Sequence, residues 1–270
     1  MSNNKKRTLI IGFSIICSVF AVLSVIYAVF GFDFLKSEDL DFIDKVSNEA
    51  ISANILLIRA TDETASEGMT STSYSVGHSG VVFKREDNKY YVLTALHAIE
   101  LDNPKMFVLR YNQPTYNEYV KNNNYTSISA YYSQFPETVI EYYDKTYDLA
   151  VISFVSELEF TVLSIAPEPP KYNEPVAAIG SPHENERNAI TTGNITSRNP
   201  VPFGDEAGRS QHNVITHSAK ISDGSSGGAL LNENLKIVGI NLGGSHNFFR
   251  FIEGKAMPSD RILEFLSVMD

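Results

Sequence analysis

The sequence predicts an all-β fold that ends in a C-terminal helix. One transmembrane helix is predicted before this fold. Short segments rich in β-branched and aromatic residues recur along the chain, and Gly, Pro, Asn and Asp separate them. This spacing favours antiparallel barrels or sandwiches over a parallel sheet, which needs crossover helices. A long uncharged apolar run lies near the N-terminus. With 270 residues, the chain is long enough to bury a large core.

The apolar run covers residues 9–30 and contains no charged side chain. A helix of this length extends over about 33 Å, which is enough to cross the hydrocarbon core of a bilayer. Basic residues precede the run and acidic residues follow it, so the positive-inside rule leaves residues 1–7 in the cytoplasm. We therefore predict a transmembrane signal anchor at residues 8–31, with the rest of the chain on the outer side of the cell membrane.

A cleaved signal peptide is the alternative to an anchor. The run is longer than a usual signal-peptide core, and no small-x-small cleavage site follows it. The single cysteine, Cys17, lies in the same run, so the outer part of the chain can form no internal disulfide. An exported domain without disulfides is typical of a bacterial surface protein. These observations favour the anchor.

A helical segment is predicted at residues 32–53, between the membrane and the outer domain. Ser37 stands before two acidic residues, which is the arrangement of an N-cap followed by the first helical turn. Apolar residues then follow at helical spacing, which predicts a helix from about residue 38 to residue 51. The outer domain is expected at residues 54–270.

The alternating and β-branched patterns predict the strands of this domain. The predicted strands are residues 55–58, 80–83, 90–94, 106–109, 139–143, 149–154, 176–179, 214–216 and 237–241. A terminal helix is predicted after Pro258-Ser259-Asp260, and its predicted inner face carries Ile262, Leu263, Phe265 and Leu266. The connection between residues 109 and 148 is long and rich in Tyr and Asn. We interpret it as an insertion that packs on its own domain rather than a loop that contacts substrate.

The charge of the chain argues against a nucleic-acid partner. The formal net charge is −10. The first 31 residues contain three of the basic residues and no acidic one, so the rest of the chain is more acidic still. A surface that binds phosphates needs a concentration of Lys and Arg, which this sequence lacks.

Three short motifs carry the chemistry, and they come in the order histidine, aspartate, serine. His97 lies in Leu-Thr-Ala-Leu-His-Ala at residues 93–98, where a predicted strand leaves its sheet. Asp148 opens a predicted strand. Ser226 lies in Asp-Gly-Ser-Ser-Gly-Gly-Ala-Leu at residues 223–230. The glycines on both sides of this serine leave room for backbone amides to approach one point.

These three residue types together indicate nucleophilic acyl transfer. A serine hydroxyl is a weak nucleophile at neutral pH, so it needs an adjacent imidazole to take its proton. A carboxylate is needed to hold that imidazole in the correct tautomer. Ser226, His97 and Asp148 supply the three groups, and Asp144 is the alternative acid.

The motifs resemble those of the chymotrypsin-like (trypsin-like) serine proteases, and most closely the bacterial HtrA/DegP-type protease domain without a PDZ domain. Thr-Ala-x-His ending at His97, Asp-Leu-Ala-Val from Asp148 and Gly-x-Ser-Gly-Gly around Ser226 carry the resemblance. It extends from about Asn54 to the C-terminus. It implies two antiparallel six-stranded β-barrels with a C-terminal helix.

The resemblance also implies a role for each residue of the motifs. Ser226 would attack the substrate carbonyl, His97 would act as general base and then general acid, and Asp148 would orient His97. The backbone amides of Gly224 and Ser226 would form the oxyanion hole.

Substrate binding is expected at the two segments that flank the serine in the family's fold. The resemblance assigns the wall of the specificity pocket to Ile221, Asn241, Leu242 and Gly243. Ile221 favours a small or medium apolar substrate side chain. An alternative hypothesis is that Lys220 points inward and selects an acidic side chain.

Two other kinds of site are excluded by spacing and order. No His-Glu-x-x-His motif is present, so neither a metal nor another cofactor is expected. Gly-x-Ser-x-Gly around Ser226 also matches the nucleophile elbow of α/β-hydrolases. That family has the order serine, acid, histidine, and only His246 follows Ser226 here. Residues 229–241 also predict a hairpin rather than the helix that follows such an elbow.

The sequence therefore predicts a membrane-anchored, extracytoplasmic serine endopeptidase that acts on protein or peptide substrates. The alternative from a different class is a catalytically silent protease fold that binds peptides at the cell surface. A third hypothesis is a peptidase that stays inactive until a partner orders its loops. The sequence does not predict an oligomeric state.

Overall fold

The computed structural model describes residues 37–64, 70–99, 105–123, 126–181, 187–203, 211–247 and 250–269. The anchor predicted at residues 8–31 lies outside these residues. In the part of the chain that is described, no helix is long and apolar enough to cross a membrane. Residues 41–270 form one compact unit, and the contacts below lie within it.

Four short α-helices are present in the described residues. They are α1 (Ser37–Lys45), α2 (Tyr116–Val120), α3 (Ile128–Tyr132) and α4 (Ser259–Leu266). After α1 the chain widens into a π-helical turn and then tightens into a 3₁₀ turn before the first strand. The predicted helix from about residue 38 to 51 is therefore helical throughout but not a regular α-helix. Phe42, Val46 and Ala50 on its inner side are buried in the core.

Twelve strands follow within the described residues. They are β1 (Asn54–Thr64), β2 (Thr70–Glu86), β3 (Lys89–Ala95), β4 (Met106–Arg110), β5 (Val139–Asp144), β6 (Leu149–Val155), β7 (Pro175–Gly180), β8 (Ala189–Asn194), β9 (Ile215–His217), β10 (Ala229–Asn232), β11 (Ile237–Asn247) and β12 (Arg250–Pro258). They form two six-stranded antiparallel sheets, in the orders β4-β1-β2-β3-β6-β5 and β8-β7-β10-β11-β12-β9. The predicted all-β fold with a C-terminal helix is confirmed at this level.

Hydrogen bonds also connect the two edges of each sheet. In the first sheet, Val108 of β4 donates to the Pro136 carbonyl at 2.9 Å, just before β5 begins. In the second sheet, Ser218 donates to the carbonyl of Asn194 at the end of β8, at 3.0 Å. These bonds satisfy edge groups that would otherwise be open to pairing with another chain.

Strand β6 shows how the two sheets share a core. Six consecutive residues of β6 are buried, which is unusual for an antiparallel strand because such strands commonly face water on one side. Ala150 and Ile152 pack inside the first sheet. Leu149 and Val151 face a separate cluster that also contains Ile179 and residues of α4. The ends of β3 and β6 are therefore held against the second sheet, where the predicted site residues meet.

The sequence analysis missed two strands, β8 and β12. The hairpin predicted at residues 229–241 is confirmed, because β10 pairs antiparallel with β11. Strand β8 reads Ala-Ile-Thr-Thr-Gly-Asn, and all of its residues are only half-buried, so its pattern has no alternation. Strand β12 contains Gly254 and ends at a proline. Their neighbours in the sheet, rather than their own patterns, define these strands.

The long connection after β4 contains the helices α2 and α3. Side-chain caps start both helices: Thr115 accepts from Glu118, and Ser127 accepts from Ala130. Four tyrosines of this connection pack in a cluster with Leu56, Ile58, Phe107 and Leu109 of the first sheet; they are Tyr116, Tyr119, Tyr131 and Tyr132. The interpretation of this connection as an insertion that packs on its own domain is confirmed.

The terminal helix α4 corrects one prediction about its inner face. Ile262 and Phe265 are fully buried, and Leu266 packs partly against the same core. Leu263 was expected on this face but is 39% exposed. With a helical period of 3.6 residues, a stripe through Ile262 and Phe265 turns residue 263 away from the sheet.

Candidate active site

His97 lies where the chain leaves the first sheet. The backbone is extended at Ala95 and then forms a single 3₁₀ turn over Leu96–Ala98. The turn is attached to the neighbouring strand, because Leu96 donates its N–H to the carbonyl of Asp148 at 2.9 Å. The buried residues on either side of His97 fix the backbone, while its own side chain remains 25% exposed.

Asp148 contacts His97 with both carboxylate oxygens. Oδ2 lies 2.6 Å from His97 Nδ1, and Oδ1 accepts the backbone N–H of His97 at 3.0 Å. The aspartate side chain is only 4% exposed. Its backbone has φ of 54°, a left-handed conformation that Asp tolerates better than most residues. This double contact fixes the ring orientation and leaves Nε2 free of any described partner.

Asp144, the alternative acid, has a different role. Its Oδ1 accepts from Thr146 twice, from the backbone N–H at 2.7 Å and from the hydroxyl at 2.6 Å. It therefore stabilises the turn between β5 and β6, and the structure brings Asp148 rather than Asp144 to His97.

Ser226 lies within two consecutive β-turns. Ser225 donates its N–H to the Ser222 carbonyl at 2.9 Å, and Gly228 donates to the Ser225 carbonyl at 3.0 Å. The third residue of each turn is a glycine with positive φ, 91° at Gly224 and 86° at Gly227. Positive φ at this position is the requirement of a type II turn. The glycine pattern around Ser226 thus follows from the backbone it must adopt.

Steric space also requires a glycine at residue 227. A Cβ atom at this residue would lie 2.2 Å from the Ser79 carbonyl oxygen and 2.3 Å from Thr94 Oγ1. The turn therefore lies directly against the end of β3, three residues before His97. This approach of backbone to backbone brings the serine loop of the second sheet to the histidine of the first.

The backbone amides of Gly224 and Ser226 donate to no other residue in the described part of the chain. Buried or half-buried amides are usually paired, so two free ones in consecutive turns indicate a place for an external acceptor. They are the two amides that the sequence analysis assigned to an oxyanion hole.

The hydroxyl of Ser226 points to a backbone carbonyl in this structure. Its Oγ donates to the Leu242 oxygen at 3.3 Å, and no hydrogen bond between Ser226 and His97 is present among the described residues. A bond of this length is near the limit for a hydroxyl donor. Rotation about the Cα–Cβ bond of Ser226 is the change by which the hydroxyl would leave this carbonyl.

Ser79, which the sequence analysis did not single out, holds the Ser226 turns in place. Its hydroxyl donates to the Gly224 carbonyl at 2.8 Å and accepts the Ser181 N–H at the same distance. Its own N–H donates to the Ser226 carbonyl at 3.3 Å. Ser79 is fully buried. Its only sequence signal is a small polar residue inside the otherwise apolar segment of β2.

Two further histidines lie close to the site. Burial, with smaller contributions from the charges of Arg59 and His97, lowers the pKa of His78 to about 4. Burial lowers the pKa of His217 to about 4 as well, and its Nε2 lies 3.0 Å from Asn241 Oδ1. Both imidazoles are therefore neutral at neutral pH.

Two separate cavities adjoin the serine turns. The first has a volume of about 340 Å³, and Ser226, Leu242 and Gly243 contribute to its wall. The second has about 170 Å³, and Ile221 and Asn241 line it instead. Of the four residues assigned to the specificity pocket, Leu242 and Gly243 therefore share a cavity with Ser226, and the other two do not.

Searched for possible metal ligands, the described residues contain no group of three or more His, Cys, Asp or Glu side chains that could hold an ion.

Comparison with known proteins gives a family match over most of the outer domain. The trypsin-like peptidase domain matches residues 78–240, a range that includes His97, Asp148 and Ser226. The chain is 28% identical over 199 residues to the serine protease Do-like HtrA of Bacillus subtilis, covering 73% of this chain and 39% of that protein. It is 29% identical over 182 residues to the HtrA of Lactobacillus helveticus, covering 67% and 38%.

A third relative matches a shorter region at higher identity. The serine protease PepD of Mycobacterium tuberculosis is 37% identical over 102 residues, covering 36% of this chain and 22% of that protein. The chain therefore aligns with less than half of the length of each of these relatives.

Proposed function

Because the chain belongs to the trypsin-like peptidase domain family and resembles the HtrA-type serine proteases, we propose that it is a serine endopeptidase with His97, Asp148 and Ser226 as its catalytic residues. The observation that supports this most directly is the contact of both Asp148 carboxylate oxygens with His97. Because a buried carboxylate contacts the backbone N–H and Nδ1 of one histidine with its two oxygens, the other ring nitrogen, Nε2, remains available as a base.

The first chemical step is the attack of Ser226 on the substrate carbonyl. The hydroxyl leaves the Leu242 carbonyl and turns to His97 Nε2, which takes its proton as Oγ bonds to the carbonyl carbon. Asp148 stabilises the imidazolium that forms. The negative charge moves to the carbonyl oxygen, where the amides of Gly224 and Ser226 donate to it. One such donor contributes on the order of 3 kcal/mol to the transition state.

The second half of the reaction releases the products. His97 gives its proton to the leaving amine nitrogen, the peptide C–N bond breaks, and an acyl ester remains on Ser226. A water molecule then loses a proton to His97 and attacks the ester carbonyl. The Ser226 oxygen recovers the proton from His97, and the peptide acid departs.

Strand β11 offers an edge for an extended peptide substrate. Its pairing with β10 ends at Ile240, and no described strand pairs with Leu242 or Gly243 on that side. On the other side, Gly243 pairs with β12. A substrate strand added at this free edge would form backbone hydrogen bonds next to Ser226. This geometry fits a protein or peptide substrate.

A non-catalytic peptide-binding module is the second candidate function. The hydrogen bond from Ser226 to Leu242 rather than to His97 favours it. The same observation fits a peptidase that becomes active only when a partner reorders the turns. The free amides and the Asp148–His97 contact fit all three hypotheses, so labelling of the serine decides among them.

A fluorophosphonate probe with a small apolar group tests the proposal. The wild-type chain is expected to label at Ser226, and Ser226→Ala is expected to abolish labelling. Ser222→Ala, a neighbouring serine in the same loop, is the matched control and should still label. Absence of labelling, alone and with peptide or membrane extracts added, would leave only the binding module. Labelling that appears only with an added partner would support the regulated peptidase.

We also propose that residues 8–31 anchor this domain on the outer face of a bacterial cell membrane. The uncharged apolar run with basic residues before it supports this. In cell fractionation, the full chain should remain in membranes after a high-salt wash, and deletion of residues 1–31 should prevent its export. An external protease should digest residues 54–270 in intact spheroplasts. Release of a shortened chain into the medium would instead support a cleaved signal peptide.

A further inference from the structure

We propose that the first cavity, whose wall includes Ser226, accepts an acidic side chain of the substrate, and that Lys255 is the residue that recognises it. This inference rests on the proposed peptidase function and specifies its substrate. The recognised side chain is the one directly before the scissile bond, because the cavity includes Ser226 itself. The substrate class is therefore peptides with Glu or Asp at this position.

The register of the second sheet places Lys255 in the cavity. Lys255 on β12 pairs with Gly243 on β11, and the next pair is Gly254 with Gly244. With glycine at both β11 positions, no side chain from that strand fills the space beside the lysine. Of the described atoms, a Cβ on Gly243 would meet only Phe203 Cζ, at 3.8 Å. The cavity of about 340 Å³ is thus open to a substrate side chain.

Among the residues that the structure describes, no carboxylate lies within ion-pair distance of the Lys255 Nζ. Its ammonium group lies instead over the Phe203 ring, with Nζ 5.6 Å from the ring centroid. A half-buried cation without an anionic partner loses hydration and gains little in return, so a carboxylate entering the cavity is favoured.

The rest of the cavity also fits a carboxylate with a short aliphatic stem. Ser222 and Ser245 supply hydroxyl groups that can donate, and Leu242 and Phe203 supply apolar surface for methylene groups. Among the described residues of the wall, Asp223 is the one that is acidic, and it is exposed at the surface, where water screens its charge. Lys255, by contrast, is only partly exposed.

Lys220 does not have this geometry. It lines the second cavity, and its carbonyl accepts a hydrogen bond from Thr191 Oγ1 at 2.8 Å. Lys220 does not line the cavity that contains Ser226. We therefore retain the hypothesis of a lysine that selects an acidic side chain, but we assign this role to Lys255 instead of Lys220. Lys255 lies on β12, a strand that the sequence patterns did not predict.

The test compares cleavage of three fluorogenic peptides that differ only in Glu, Gln or Lys before the scissile bond. Wild-type kcat/KM should be at least about tenfold higher for Glu than for Gln, since a charge-assisted hydrogen bond discriminates by about this factor or more. Lys255→Met keeps the aliphatic stem and should remove the preference. Lys255→Glu should reverse it in favour of Lys. Lys220→Met, the matched control, should retain the wild-type preference.

A binding measurement separates this inference from the proposed function. The Ser226→Ala chain is titrated with product-like peptides that end in Glu or Gln, with and without Lys255→Met. Tighter binding of the Glu peptide that depends on Lys255 supports the pocket even if fluorophosphonate labelling fails. Equal binding and equal cleavage of the Glu and Gln peptides would overturn the pocket while labelling upholds the peptidase. A Glu preference that survives Lys255→Met would overturn the role of Lys255.

Discussion

The two sheets contribute the two halves of the site in different states. In the half from the first sheet, Asp148 and His97 are joined by contacts of 2.6 and 3.0 Å, and the carboxylate is almost fully buried. In the half from the second sheet, Ser226 makes one long hydrogen bond to a carbonyl, and two amides have no described partner. The first half is thus hydrogen-bonded internally, whereas the second half keeps two donors without a partner among the described residues.

This difference has a physical cause. A buried carboxylate without partners would cost several kcal/mol, so the fold must satisfy Asp148 internally. The amides of Gly224 and Ser226 carry only partial charges and lie in half-buried turns, so their free state costs much less. In the proposed peptidase mechanism, these unpaired amides are the groups that would stabilise the transition state.

The largest effect is expected from Asp148→Asn in the first half. An amide in place of the carboxylate would hold His97 in the wrong tautomer, and kcat is expected to fall about 10⁴-fold. The measurement is the single-turnover rate of acylation by an activated ester. Asp144→Asn is the control, because Asp144 only stabilises the turn before β6, and its rate should stay within about threefold of wild type. Equal losses in the two variants would contradict the assignment of Asp148.

Gly227→Ala tests the second half in the same way. The new Cβ would lie 2.2 Å from the Ser79 oxygen at a φ of 86°, so the turn must change shape. We expect fluorophosphonate labelling to slow by at least about a hundredfold, which corresponds to roughly 3 kcal/mol of lost preorganisation. The NMR signal of the His97–Asp148 hydrogen bond should remain. Loss of that signal would mean that the two halves are not separable.

The control for stability is Gly243→Ala. Within the described part of the chain, its Cβ would meet one atom within 4 Å, Phe203 Cζ at 3.8 Å. Its free energy of unfolding should therefore stay within about 1 kcal/mol of wild type, whereas that of Gly227→Ala should fall by more. Similar losses in both variants would show that any added methyl group, rather than the strained turn, is responsible.

The sequence could predict the parts of the site whose local patterns are strong. His97, Asp148 and Ser226 each follow or open a segment with clear alternation or glycine spacing. Ser79 and Lys255 could not be found in this way, because their roles come from the register of one strand against another. The register of β12 in particular depends on bulges in β11, at residues 241–243 and 245–246, which no short pattern indicates.

Acid is expected to destabilise the second half first. His217 contacts the serine turns through Asn241, which exchanges backbone hydrogen bonds with Gly227 and Gly228 at 2.8 and 2.9 Å. The pKa of His217 is lowered to about 4 by burial. Above pH 6.5 the imidazole is neutral in both folded and unfolded chains. As the pH falls from 6.5 towards 4, only the unfolded chain takes up the proton, so stability is lost in that window.

The loss from His217 amounts to roughly 3 kcal/mol between pH 7 and pH 4. Urea unfolding at a series of pH values measures it. His217→Gln should be less stable at pH 7 but lose less stability on acidification than wild type. His78 has a similarly low pKa, so His78→Gln is measured in parallel to separate the two contributions. An unchanged pH dependence in His217→Gln would contradict the role given to this residue.

The smallest effect is expected from Ser79→Ala, which acts on the second half through its backbone. The variant removes the hydroxyl that fixes the Gly224 carbonyl at 2.8 Å, so the peptide that presents the Gly224 amide gains freedom. We expect kcat to fall about tenfold to a hundredfold with little change in KM, since an unsatisfied buried group costs about 1–3 kcal/mol. Binding of a peptide boronic acid, which needs the oxyanion site, should weaken in parallel. Ser153→Ala is the matched control, because Ser153 is equally buried in β6 but bonds Glu141 instead. If both variants lose stability alike and neither weakens boronic-acid binding, Ser79 is a structural residue only, and the oxyanion amides are held by their two turns alone.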